Sequence, residues 1–454
     1  MMTQHIPRLV LAGTGSGCGK TTLTCAILQA LANRGFKACA FKCGPDYIDP
    51  MFHSRIIGAK SANLDLFFFD QDALRFLLAK NAAGCDVSII EGVMGYYDGM
   101  GTADSRGSTC AVAQAVESPA VLVVNARGAS LSVLAAVHGF LTFQPDSRIC
   151  GVILNQCSPG VYPPLAQAIA ERFGGRVRPL GYLPSLPDCA LESRHLGLVT
   201  AAEVAGLREK MNALAAQAEK TLDLDGLLSL ARSAAPLSFT PPMLPDAREP
   251  VHIAVARDRA FCFYYEDSLE LLRDMGAQLV PFSPLTDPAL PDGVHGLYLG
   301  GGYPELYAEV LSENRTMRAS VLSALHRCLP CIAECGGFMY LTSAIGEHPM
   351  VGFLAGQCHD TGRLTRFGYI TLRAERDCLL CRAGEAIAGH EFHYWDCDSP
   401  GDSFTAVKPS GKSWRCAFAT DHLYAGFPHF HFYANPGFAD RFYQACLKEK
   451  YRHD

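Results

Sequence analysis

Three things are missing from this chain of 454 residues. Basic charge is not in excess: 39 Lys and Arg face 45 Asp and Glu, and the formal net charge of −6 argues against a broad nucleic-acid-binding surface. No uniformly apolar run reaches the roughly 20 residues of a membrane span, so no membrane partner is expected. The opening "MMTQHIPRLV" runs into a strand-like segment with no basic leader, long apolar core or cleavage site, so no signal peptide is expected either. Internal repeats and low-complexity tracts are also absent. Hydrophobic residues, by contrast, make up 49% of the chain, and there are 19 cysteines. The cysteines are scattered through strand-like and helix-like segments. Without an export signal they read as the reduced thiols of a cytoplasmic protein.

The length exceeds one ordinary core and suggests two domains of roughly 200 residues each. Short apolar runs ("PRLVLAG", "KACAFK", "DVSIIEG", "AVLVVNA", "ICGVILN") alternate with helical patterns such as "KTTLTCAILQALANRG", closed by Gly35. Strands this apolar are covered on both faces, so residues 1–232 are expected to form a doubly wound α/β domain with a mainly parallel sheet. Residues 233–250, "SAAPLSFTPPMLPDAREP", carry five prolines and no periodicity and are expected to be a linker. The alternation restarts in "VHIAVAR", "DSLELLRDMG", "VHGLYLGGG" and "LPCIAECGG". Beyond residue 350 come short strand-like runs rich in aromatics. Residues 251–454 are expected to be a second α/β domain with a mixed or partly antiparallel sheet.

The segment 9–28, "LVLAGTGSGCGKTTLTCAIL", sets a glycine-rich loop between a strand and a helix. There, backbone N–H groups and the helix N-terminus cradle phosphate. Gly13, Gly17 and Gly19 shape the loop, Lys20 reaches the outer phosphates of a nucleoside triphosphate, Thr21 binds Mg²⁺, and Thr22 follows. Gly13 stands one residue further from Gly19 than the common pattern requires, so the loop is a lengthened variant. "IIEGVMGYYDG" ends a strand at Glu91 and continues to Asp98; "KCGPDYIDPMFH" places Asp46 and Asp49 beyond another strand. Ligands bind at such carboxyl ends. Mg²⁺ takes hard oxygen donors, which makes Asp46 and Glu91, with Thr21, its candidate ligands; Asp49 and Asp98 are candidates to orient a substrate.

In "IAECGGFMYL" (332–341), Cys335 follows an apolar run and is flanked by small residues. That is the pattern of a nucleophile elbow, where the following helix is expected to lower the thiol pKa. "LGGGYPE" (299–305) offers N–H groups for an oxyanion. His429 and His431 in "FPHFHFYANP" lie two apart and face one way on a strand, one to deprotonate Cys335 and the other to orient it.

These stretches, together with "ESRHLGLV" and "GHEFHY", resemble the cobyrinate a,c-diamide synthases, ATP- and glutamine-dependent amidoligases of corrinoid biosynthesis. The matching segments follow one another along nearly the whole chain. The first half is similar to dethiobiotin synthetase, which has the same lengthened loop, and the second to class I glutamine amidotransferases. The resemblance implies that MgATP phosphorylates a macrocycle carboxylate. It also implies that Cys335 releases ammonia from L-glutamine and that ammonia displaces the phosphate, at the c and a acetates in turn. It places Asp46, Tyr47, Asp49, Glu91 and Asp98 in the ligase site and makes Asn155 the best candidate for contact with the nucleotide base. It also identifies His429 as the base, and draws Arg194 and His195 toward substrate carboxylates. Cobyrinate, hydrogenobyrinate and nickel-sirohydrochlorin share the a and c acetates, and the residues do not choose among them. Two other readings exist: a four-thiolate zinc site from Cys328, Cys331, Cys378 and Cys381, and a regulatory P-loop ATPase switch.

Overall fold

The computed structural model describes residues 1–101, 103–189 and 206–452, so Arg194 and His195 lie outside the described residues. The chain divides into two compact units, Met1–Pro242 and Met243–Asp454.

The first unit is built on a seven-stranded sheet. In spatial order its strands are Lys60–Leu64, Ala38–Cys43, Val87–Glu91, Arg8–Gly13, Ala120–Asn125, Ile149–Asn155 and Arg178–Leu183, every neighbouring pair parallel. Arg8–Gly13 comes first in the chain yet sits in the middle. The order therefore reverses around it, and its carboxyl end faces the crevice where open α/β sheets bind ligands. Leu9, Leu11, Ile89, Val121, Val123 and Ile153 are buried to the last few per cent, as strands covered on both faces require. The helix Lys20–Asn33 buries Leu23, Ile27, Leu28 and Leu31 in the same core.

Residues 237–239 lie within the stretch expected to be a linker, but they form a strand paired antiparallel with Met2–Gln4. The fully buried guanidinium of Arg8 holds this closure, donating to the carbonyls of Ile6, Val116, Glu117 and Ala235. Each of those carbonyls would be costly to bury unpaired.

The second unit carries a six-stranded sheet in the order Ala277–Phe282, Val251–Ala256, Gly296–Leu299, Cys331–Glu334, Leu423–Gly426 and Phe418–Ala419. Only the last pairing is antiparallel. A five-stranded antiparallel sheet contains Arg366–Ala374, Ala386–His393 and His429–Phe430. The six-stranded sheet is the partly antiparallel sheet expected of this half, and the five-stranded antiparallel sheet is additional to it. Among the described residues, no helix is long and apolar enough to cross a membrane.

Candidate functional site

In the first unit, Gly13 ends its strand and the helix starts at Lys20. Gly19 has φ +96°, and a β-carbon there would lie 1.9 Å from Asn155 Nδ2. Only glycine fits that turn and that approach. Asn155 donates to the Cys18 carbonyl at 2.9 Å, pinning the loop to the carboxyl end of its own strand. Asn125, its register partner, accepts from Arg127 N and is exposed. Gly17 also has positive φ, at the exposed tip. Lys20 Nζ donates to the carbonyls of Met94 at 2.5 Å and Gly15 at 3.1 Å, and its burial lowers its pKa. Tyr96 N donates to Gly13 O, so the segment after Glu91 folds over the loop. Thr22 is half-buried beside Thr21.

Thr21 Oγ1 donates to Glu91 Oε1 at 2.6 Å, joining residues far apart in sequence. Glu91 is fully buried and also takes Lys42 Nζ at 2.7 Å, with His53 Nε2 3.4 Å from its other oxygen. Lys42 makes a second ion pair, 2.5 Å from Asp49 Oδ2. Burial alone pushes the Glu91 carboxyl up, but Lys42 and His53 together hold it well below the usual range. Asp49 goes the other way: burial, then the Glu91 charge, push it up to about 7 against the pull of Lys42. Burial works to lower Lys42, yet Glu91, Asp49 and Asp46 raise it well above its ordinary value.

Asp46 is close enough to act on Lys42 and Asp49 by charge, while its Oδ1 caps its own turn at Ile48 N, 2.7 Å away. Tyr47, next to it, is buried. Asp98 is exposed and accepts from Gly95 N at 2.7 Å. Of the expected group, Thr21, Glu91 and Asp49 are therefore joined in one network and Asp46 borders it, whereas Asp98 turns back on its own loop. Lys42 and His53 were not foreseen. A lysine closing the apolar run "ACAFKC" was the available signal. The hydroxyl and carboxylate oxygens of Thr21 and Glu91 are the hard donor set that Mg²⁺ prefers, and the ion needs few protein ligands when phosphates complete its shell.

In the second unit, Cys335 has φ +49° and ψ −103°, between the strand Cys331–Glu334 and the helix Gly336–Leu341. A non-glycine residue held there stores about 1–3 kcal/mol of strain. Cys335 N donates to Gly426 O at 2.7 Å and Gly337 N to Gly300 O at 3.0 Å, which fixes the elbow against the neighbouring strands. A β-carbon on Gly336 would come 2.8 Å from Pro304 Cδ and 3.1 Å from Gly302 N; one on Gly301 would come 2.4 Å from His429 Cε1. The loop 300–305 thus lies between the elbow and the imidazole of His429.

His429 Nδ1 is 3.1 Å from Glu334 Oε2, and Tyr298 OH donates to Glu334 Oε1 at 2.8 Å. His390 stacks on His429 with centroids 5.1 Å apart. His431 is fully buried against Tyr265, and its Nδ1 accepts from Tyr433 N at 3.2 Å. The group orienting His429 is therefore Glu334, which sequence reasoning passed over although it ends the nucleophile's own strand. Burial of His431 holds its pKa down at about 3, so it stays neutral at working pH.

The helix after Cys335 was expected to lower its thiol pKa. The Gly336 N–H does favour the thiolate, but burial first, and then the carboxylates of Glu305, Glu391 and Glu334, push the thiol up instead. The resting group is a thiol, and a base must take its proton during attack.

Among the described residues, no three His, Cys, Asp or Glu side chains gather as a metal cage, so the four-thiolate reading finds no support. Cys378 and Cys381 contact each other, with sulfurs 3.5 Å apart, and Cys331 is sealed inside its strand.

A phosphate loop on a doubly wound sheet and an elbow cysteine with an oriented histidine define a two-domain glutamine amidotransferase that uses a nucleotide. Comparison with known proteins narrows the class. Residues 9–198 match the CobQ/CobB/MinD/ParA nucleotide binding domain, and residues 252–436 match the CobB/CobQ-like glutamine amidotransferase domain. The cobyrinate a,c-diamide synthase of Listeria innocua is 40% identical over 440 residues, covering 94% of this chain and 97% of its own length. That of Caldanaerobacter subterraneus is 40% identical over 451 residues, 96% and 98% of the two chains. That of Salmonella typhimurium is 40% identical over 440 residues, 94% and 95%. The chain belongs to the cobyrinate a,c-diamide synthase family and is a ligase with glutamine as nitrogen donor. The reading as a regulatory ATPase switch is set aside, since an amidotransferase domain has no place in it.

Proposed function

We propose that this protein uses ATP and L-glutamine to amidate the a and c acetate carboxylates of cobyrinate, a tetrapyrrole substrate, giving the a,c-diamide. The observation that carries the reading is Cys335 on a strained elbow beside a His429–Glu334 pair, in a chain whose other unit holds a phosphate loop. A cytoplasmic setting keeps its cysteines reduced.

In the glutaminase half, His429 takes the thiol proton as Cys335 Sγ attacks the side-chain amide carbon of glutamine. Glu334 holds the Nδ1 proton in place and balances the imidazolium charge. Backbone N–H groups of 301–302 and Gly336 receive the oxyanion, the Gly300 N–H being held by Tyr264 OH. His429 then protonates the leaving nitrogen, ammonia departs, and water attacks the thioester to release glutamate. In the ligase half, a carboxylate of the macrocycle is a poor electrophile. It attacks the γ-phosphorus of ATP, ADP leaves, and ammonia displaces phosphate from the resulting acyl phosphate. Lys20 and the loop N–H groups balance the phosphate charge. Thr21 and Glu91, bordered by Asp46, would hold Mg²⁺, which supplies charge neutralisation on the phosphates. Tyr47 and Asp49 line the acceptor side, Asp98 holds the loop after Glu91 by accepting from Gly95 N, and Asn155, the candidate for contact with the base, also pins the phosphate loop at the Cys18 carbonyl.

The test is a mass assay of each candidate macrocycle with ATP, Mg²⁺ and a nitrogen source. Cys335→Ala should fail with glutamine yet amidate with added ammonia, and Lys20→Ala should fail with both. Glutamine-driven amidation by Cys335→Ala would overturn the reading.

A further inference from the structure

The loop that frames the thiol also carries a carboxylate that the chemistry above does not use. Pro304 packs against Gly336, so Glu305 is set directly beside the elbow. The side chain is half-buried, and among the described residues no basic group pairs with it. Asp360, at the end of the strand Gln357–Asp360, adds a second negative charge to its surroundings. Glu391, 1% exposed, has an oxygen with no hydrogen bond; Arg366 Nε pairs with it loosely at 3.7 Å, and the His393 ring nitrogen Nε2 lies 3.8 Å away. Glu305 and Glu391 thus both bear on the reactive sulfur, Asp360 bears on Glu305, and of the two nearer the sulfur only Glu391 has a cation beside it.

A buried carboxylate left unbalanced calls for a cationic ligand. Free glutamine, on the reading above, brings one: its α-ammonium group lies four bonds beyond the amide carbon that Cys335 attacks. We propose that Glu305 anchors the α-ammonium group of glutamine, with Asp360 and Glu391 supplying the surrounding negative field, so that the site selects glutamine with a free amino group. Electrostatics agree with the geometry. Burial first, and then Asp360, push the Glu305 carboxyl up to about 7, and after burial Glu305 is the strongest influence raising the Cys335 thiol. An ammonium group seated between them relieves both effects and orients the amide toward the sulfur.

The experiment compares glutamine with glutaramate, the same chain lacking the amino group, in wild type, Glu305→Gln and Glu305→Asp. Wild type should prefer glutamine by about 10²-fold in kcat/KM, as a site that pairs a charged group rejects the analogue lacking it. Glu305→Gln should raise the glutamine KM by about 10–100-fold with kcat within a few-fold, leave glutaramate turnover no lower than in wild type, and keep ammonia-driven amidation intact. Glu305→Asp should recover part of the lost affinity. Wild type hydrolysing both compounds equally overturns the proposal whether or not any variant folds. So does Glu305→Gln with an unchanged glutamine KM, or with a loss confined to kcat. A wild type that hydrolyses no glutamine at all removes the glutaminase reading itself, and this inference with it.

Discussion

His429 Nδ1 lies 3.1 Å from Glu334 Oε2, and Glu334 is the residue immediately before the nucleophile. Nucleophile and orienting carboxylate therefore share one strand end, while the base comes from a strand almost a hundred residues later. Tyr298 OH clamps the far oxygen of Glu334, so the carboxylate can only turn one face to the imidazole.

Glu334→Gln should keep the fold, because the amide occupies the same space, but it can no longer balance an imidazolium. The expected loss is about 10²–10⁴ in kcat with glutamine, with ammonia-driven amidation untouched. Steady-state kinetics with each nitrogen source checks this. An unchanged glutamine kcat would mean that another group orients His429.

The phosphate loop and the elbow were legible because each is a local pattern: small residues, a strand before and a helix after. The central strands were legible because their runs are almost wholly apolar. Lys60–Leu64, "KSANL", escaped because three of its five residues are polar, and Arg178–Leu183 because Pro179 and Gly181 interrupt it. The strand inside 233–250 is three residues long and depends on Met2–Gln4 and Arg8 from the other end of the unit. The Thr21–Glu91–Lys42–Asp49 network and the Glu334–His429 pair join residues at separations no spacing rule connects. The sheet order decides which of them meet.

Gly19→Ala tests whether the loop geometry is required. The new β-carbon would collide with Asn155 Nδ2, and φ +96° is disfavoured for alanine. Both glutamine-driven and ammonia-driven amidation should fall by more than about 10²-fold, since misplacing a positioning group by an ångström costs that much. Glutamine hydrolysis by the second unit should persist. Retained ammonia-driven amidation would show that the loop does not hold the phosphates in this conformation.

Lys42→Met should be severe in a different way. It removes the cation between Glu91 and Asp49 and leaves two buried carboxylates facing each other. Breaking a buried pair on one side costs about 3–5 kcal/mol. Urea unfolding of the first unit should show that loss, and Glu91→Gln in the same background should restore part of it. A variant as stable as wild type would mean that water reaches these groups and screens them.

The second unit should lose stability in mild acid. His431, held at about 3 by burial, binds no proton in the folded state, whereas the unfolded chain takes one near 6.5. Its contribution is complete above pH 6.5 and is lost as pH falls from there toward 3, by at most about 1.4 kcal/mol per pH unit. His390, lowered by burial and by the His429 charge, acts in the same direction. Glu305 opposes them. Its folded pKa of about 7 exceeds the 4.5 of a free carboxyl, so the folded state gains stability by binding a proton as pH falls from 7 to 4.5. Two histidines against one carboxyl leave a net loss between pH 6.5 and 5. Replacing Glu305 with glutamine removes the opposing contribution, so the urea midpoint of the second unit should fall more steeply with acid in Glu305→Gln than in wild type. Parallel pH profiles for the two proteins would show that the Glu305 carboxyl titrates as it does in water.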